Sequence, residues 1–140
     1  MKAGKLRYIV RDFPLEAIHP QAFKASEGAR CAGDQGKYWE MHFLLFGNQQ
    51  ALGAADLPKH AGTLGLDLGK FQDCLDKGTH AVEVRRDLAD GQKAGVRGTP
   101  TFFLGVIEDD SKIRVVQVIS GAQPLAAFKA AIDAALAQLK

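Results

Sequence analysis

An α/β chain is predicted, with a block of helices set between a β-rich opening and a β-hairpin, and three observations predict it. Apolar residues recur near a 3.6-residue period from about His19 to Ala94. The period then changes to two, first through Thr101-Phe102-Phe103-Leu104 and again from Ile113 to Ile119. A final stripe with helical spacing follows Pro124 and closes the chain. Together these describe a three-stranded mixed sheet whose faces must be covered by helices. So thin a sheet leaves one strand without an obvious outer neighbour.

The opening Leu6-Arg7-Tyr8-Ile9-Val10 is β-rich and stops at Arg11-Asp12-Phe13-Pro14, because proline cannot continue a ladder. Arg11-Asp12 reads as a solvated strand end, with a functional charge pair as the alternative. Ala22, Phe23, Ser26, Ala29, Arg30 and Cys31 place a helix that Gly33 and Gly36 end, so Cys31 falls near its C-terminus. A second helix carries Tyr38, Trp39, Met41, His42, Leu45 and Phe46 up to Gly47-Asn48, with its aromatic positions as a buried stripe. Asp56-Leu57-Pro58 supplies an N-cap and first turn for a short helix through Leu64, and Asp67 opens another bearing Leu68, Phe71, Cys74 and Leu75. Gly65 and Gly78 punctuate them. A fifth helix, about Thr79 to Ala94, carries Val82, Arg85, Leu88 and Ala89. Glu108-Asp109-Asp110-Ser111 is the polar turn joining the hairpin strands, and Pro124 starts a last helix with Leu125, Phe128, Ile132, Leu136 and Leu139 on one stripe. That stripe is expected to pack on the sheet.

A chain of 140 residues suits one domain with its own core. Its net charge of +2 comes from mixed acidic and basic residues without a basic run, which gives nucleic acid no electrostatic footprint. No stretch approaches the roughly 20 apolar residues of a membrane helix, and residues 1–10 do not form a signal-peptide pattern. No membrane partner and no cofactor are expected. Cys31 and Cys74 stand too far apart for a Cys-x-x-Cys pair or a zinc knuckle, and must meet through folding or stay single as small buried side chains. His19, His42, His60 and His80 lack metal-ligand spacing, so no metal site is expected.

Val96-Arg97-Gly98-Thr99-Pro100-Thr101-Phe102-Phe103 resembles the cis-proline loop of the thioredoxin superfamily. Tyr8-Ile9-Val10-Arg11-Asp12-Phe13-Pro14-Leu15, Gly36-Lys37-Tyr38-Trp39-Glu40-Met41-His42 and Ser120-Gly121-Ala122-Gln123-Pro124 extend the likeness to nearly the whole chain. As a set they resemble the bacterial DsbA-like thiol–disulfide oxidoreductases, which insert a helical subdomain between the second and third strands. The resemblance implies an incomplete thioredoxin-like fold over residues 1–140, with the insertion at about 18–95 and the cis-proline loop, hairpin and last helix at about 96–140.

The departure from that family bears directly on activity. Its first strand, Cys-x-x-Cys motif and following helix precede the segment matching Tyr8, where only seven residues stand here. The expectation is a truncated member with no catalytic residue, unable to oxidise dithiols. Thr99 and Pro100 are the substrate-contacting positions the resemblance implies, the Thr99 backbone pairing with an extended peptide. Cys31 and Cys74 are the candidates for the structural disulfide that some relatives carry in the helical insertion, with separate thiols or a redox-active pair as alternatives. The resemblance further implies unfolded or reduced polypeptides as partners of the intact family, a periplasmic or cell-envelope location, and self-association or domain swapping to cover an exposed sheet edge. Two rival classes are a non-catalytic peptide- or partner-binding module and a glutathione-dependent transferase or isomerase.

Overall fold

The computed structural model describes residue 4 and residues 6–109 and 112–138. Met1 of the opening pattern, Asp110 and Ser111 of the polar turn, and Leu139 of the last stripe lie outside them. The chain divides into two compact units, Met1–Ala94 and Gly95–Lys140.

The first unit is helical: α1 (Ala22–Gly33), α2 (Tyr38–Gly47), α3 (Leu57–Thr63), α4 (Leu68–Asp76) and α5 (Ala81–Lys93). Short-range chemistry explains its punctuation. Asp67 caps α4, its carboxylate accepting from the Lys70 N–H at 3.0 Å. Beyond α1, the Lys37 N–H returns to the Ala32 carbonyl while Gly36 takes φ +75°. Beyond α4, the Thr79 N–H returns to the Cys74 carbonyl and Gly78 takes φ +59°. Both ends are Schellman closures, and each needs the left-handed conformation that glycine adopts without a Cβ clash.

The core of this unit gathers around Phe71, with Met41, Leu45, Leu57, Ala61, Leu66 and Leu75. The face of α1 turned to it carries Ala25, Gly28, Ala29 and Ala32, and a Cβ placed on Gly28 would already be in contact with Leu57 and Phe71 at 3.5–3.8 Å. Small residues therefore let larger ones from α3 and α4 reach the α1 backbone. Two helix faces differ from expectation. On α2, Met41 and Leu45 are buried while Trp39, Phe43 and Phe46 are exposed, so the aromatic positions are not a buried stripe. On α5, Val84 and Asp87 face inward and Val82 outward.

The second unit is a hairpin, β1 (Thr101–Asp109) and β2 (Lys112–Ser120), followed by α6 (Leu125–Ala137). The strands are antiparallel from Thr101–Ser120 through Asp109–Lys112, with register shifts at Leu104/Gly105 and Ile107/Asp109. Gly105 allows the first shift, since a Cβ there would lie 2.9 Å from the Arg114 carbonyl oxygen. Phe128 of α6 meets Phe102 of β1 edge to face, with centroids 4.8 Å apart. Ala131 and Ala135 are the buried positions of α6, and Leu125, expected on the packing stripe, is exposed.

The expected three-stranded mixed sheet is not found: among the described residues the sheet has two strands. Residues 6–10, read as the third, run outside it. Their β-rich composition suits a pleated, half-buried surface, and such a preference is realised only when a neighbouring strand supplies that surface. Tyr8 instead stacks on Trp39, with ring centroids 5.8 Å apart.

Candidate functional site

The loop that enters β1 carries Thr99 and Pro100, both exposed, joined by a cis peptide bond. It is anchored on both sides. The Thr101 hydroxyl donates to the Gly98 carbonyl at 2.7 Å, and the Gly121 N–H donates to the Pro100 carbonyl at 2.8 Å. Thr99 precedes the ladder, which begins with the Thr101–Ser120 pair, so its main chain stands ahead of the paired strands.

Cys31 and Cys74 are joined as a disulfide between α1 and α4, with Cα atoms 5.9 Å apart. Each lies in the last turn of its helix, where the carbonyl end of the helix dipole opposes a thiolate. Cys31 is buried at 1% exposure, whereas Cys74 is partly open. His80, the residue ahead of α5, stands against this bond: its ring and both sulfurs offer ligand atoms within 4.8 Å of one another. His80 Nε2 meets Asp34 Oδ2 at 2.8 Å and Nδ1 meets Glu83 Oε2 at 3.2 Å, while Asp34 Oδ2 is 3.8 Å from Cys74 Sγ. Sequence spacing alone did not associate His80 or Asp34 with the cysteines. The signal was the glycine pair, because the turns at Gly36 and Gly78 fold the segments after α1 and α4 back over the helix ends.

A second polar cluster ties the irregular opening to the helices. Asp87, its side chain 3% exposed, accepts from Arg11 Nε and Arg30 Nη2 at 2.6 Å each and from the Asp12 N–H at 3.1 Å. Arg30 Nε donates to Asp12 at 2.6 Å, and Arg11 Nη2 reaches Asp90 at 2.8 Å. Arg11 and Asp12 thus belong to an ion network with the helices rather than to a solvated strand end. Burial works against the Arg30 charge, but the hydrogen bond to Asp12 and the fields of Asp12 and Asp87 outweigh it and raise its pKa. Nearby, burial first and then the Asp12 charge push the Tyr38 hydroxyl up to about 12. Burial also lowers the pKa of His42, whose ring lies 5.9 Å from that of Tyr38.

Comparison with known proteins gives these features a setting. A family profile described as thioredoxin matches residues 1–134. A Na(+)/H(+) antiporter, NhaA 1 of Salinispora arenicola, is 44% identical over 99 residues, covering 71% of this chain and 15% of the antiporter. NhaA 3 of Salinispora tropica is 41% identical over 99 residues, again 71% of this chain and 15% of the relative. The NhaA antiporter of Herminiimonas arsenicoxydans is 39% identical over 99 residues, 71% of this chain and 16% of the relative. The chain therefore spans about 15% of the length of these curated relatives. No solved structure matches it. Since a single profile covers both the helical unit and the hairpin with its helix, the chain belongs to the thioredoxin family.

Proposed function

We propose that this segment is a DsbA-like thioredoxin-family module that holds extended, unfolded or reduced polypeptide at the Thr99–Pro100 loop and does not itself oxidise dithiols. The observation that carries the second half is the fate of the cysteines. Both are joined to each other across α1 and α4, and neither stands at a helix N-terminus, the place where backbone amides would stabilise an attacking thiolate. The first half is supported by the exposed Thr99 standing ahead of the β1 ladder, the position from which strand addition would start. A persistent disulfide belongs to an oxidising compartment, which supports the periplasm or cell envelope. The antiporter relatives suggest a module carried beside a transport domain; no described helix is long and apolar enough to cross a membrane.

The test is oxidation of a reduced two-cysteine peptide by this chain, alongside its Cys31→Ser and Cys74→Ser variants and a blank. The expected rate equals the blank, with the same peptide binding saturably and at least about tenfold more weakly to Pro100→Ala, a loss of about 1.4 kcal/mol. A rate abolished by either cysteine substitution would make the pair itself redox-active and overturn the reading.

Self-association forms part of the same proposal. Tyr8, Trp39 and Phe43 stack in sequence, and with Phe46 they leave an exposed aromatic face on the helical unit, the kind of surface that a second copy covers. Light scattering should give at least a dimer, shifted toward monomer by Phe43→Glu. A monomer at all concentrations would remove this part.

A further inference from the structure

We infer that the reduced chain carries a cation site built from Cys31, Cys74 and His80, suited to zinc, which the disulfide closes when it forms. Ligand atoms of the two cysteines and His80 already lie within 4.8 Å of one another. Bonds of about 2.3 Å to sulfur and 2.0 Å to nitrogen around one tetrahedral ion require donor separations of about 3.3–3.8 Å. Releasing the sulfurs from each other and turning them apart is the main adjustment needed. Asp34 Oδ2, 2.8 Å from His80 Nε2 and 3.8 Å from Cys74 Sγ, borders this group on its exposed side, and the fourth position falls to water, as in three-ligand zinc sites.

Two further observations favour a cation at this place. His80 is only 17% exposed and is held on its other ring nitrogen by Glu83, the outer carboxylate partner that metal-bound histidines commonly keep. The ligands also come from three places, the end of α1, the end of α4 and the residue before α5, so one ion would join α1 to α4, as the disulfide now does, and tie the start of α5 to both.

The chemistry is balanced with a dithiol reductant such as dithiothreitol. The reductant delivers two electrons and two protons to the Cys31–Cys74 bond, breaking it into two thiols, and closes to its own cyclic disulfide. Zn2+ then takes both sulfurs as thiolates, and the two thiol protons pass to solvent. Re-oxidation requires the ion to leave first, so metal occupancy and the disulfide exclude each other.

The experiment titrates Zn2+, and Co2+ as its coloured stand-in, into the full chain before and after reduction, with far-UV circular dichroism recorded throughout. One equivalent should bind the reduced chain with the thiolate charge-transfer and tetrahedral ligand-field bands of Co2+, and none should bind the oxidised chain. His80→Ala should weaken binding by more than about tenfold. Glu83→Gln, which touches only the outer partner, should weaken it by about tenfold while leaving the Co2+ spectrum tetrahedral. Should reduction unfold the helices, zinc is expected to restore the helical signal. The inference is overturned by a reduced, folded chain that takes up no metal, by an unfolded one that zinc fails to restore, by equal uptake in the oxidised chain, or by His80→Ala binding as tightly as the parent.

Discussion

Asp87→Ala is expected to lower the free energy of unfolding by about 3 kcal/mol, the lower end of the range for breaking a buried ion pair. The carboxylate is the common acceptor for Arg11, Arg30 and the Asp12 N–H. Its removal takes one of two carboxylate partners from each arginine: Arg30, 23% exposed, keeps Asp12, while Arg11, at 54%, keeps Asp90 and can also turn to water. Those remaining partners keep the loss from the top of the range. With a urea dependence of about 2 kcal/mol per molar, the unfolding midpoint should fall by about 1.5 M. Asp87→Asn separates charge from shape, since it keeps one acceptor oxygen but sets an amide N–H2 against a guanidinium, and it should retain only part of the stability. A double-mutant cycle with Arg30→Ala should show a coupling above about 1 kcal/mol. Additivity would mean that Asp87 and Arg30 contribute independently rather than as an ion pair between α5 and α1.

The same residue shows where sequence reading reached its limit. Along α5 the inward positions include Asp87, and a hydrophobic pattern has no means of placing a carboxylate inside when its partners, Arg11 and Arg30, lie 76 and 57 residues away. On α2 nearly every residue is apolar, so periodicity marked a helix but could not choose which side of it faces Met41's neighbours and which leaves Phe43 in solvent. Features set by short-range chemistry were legible: the Asp67 cap, the glycines that end α1 and α4, the hairpin and the Pro124 start of α6. Residues 6–10 carried a strand's composition without a strand's environment. In the candidate site, Thr99 and Pro100 came from a local motif, whereas the approach of His80 to Cys31 depends on two chain reversals acting together and leaves no spacing signature.

Replacing Cys31 and Cys74 together by serine should cost about 4 kcal/mol, because the bond closes a loop across a sequence separation of 43 and the open chain regains that entropy on unfolding. Cys31 is buried, so a serine hydroxyl there adds a polar-burial cost of its own, and dithiothreitol reduction of the parent chain is the cleaner measurement. Equilibrium unfolding of the oxidised and reduced chains, compared at matched pH, should give the loop term without any side-chain change. A loss below about 1 kcal/mol would mean that Phe71, Leu75 and the α1 face already restrict the unfolded chain or hold the helices unaided. Zinc then divides the remaining explanations. An ion that binds only the folded, reduced chain returns about 2.7 kcal/mol when present at 100 times its dissociation constant, so adding it should recover most of what reduction removed. Recovery of that size, absent in His80→Ala, would mean that the junction of α1 and α4 can be closed by either of two chemistries, one for each redox state.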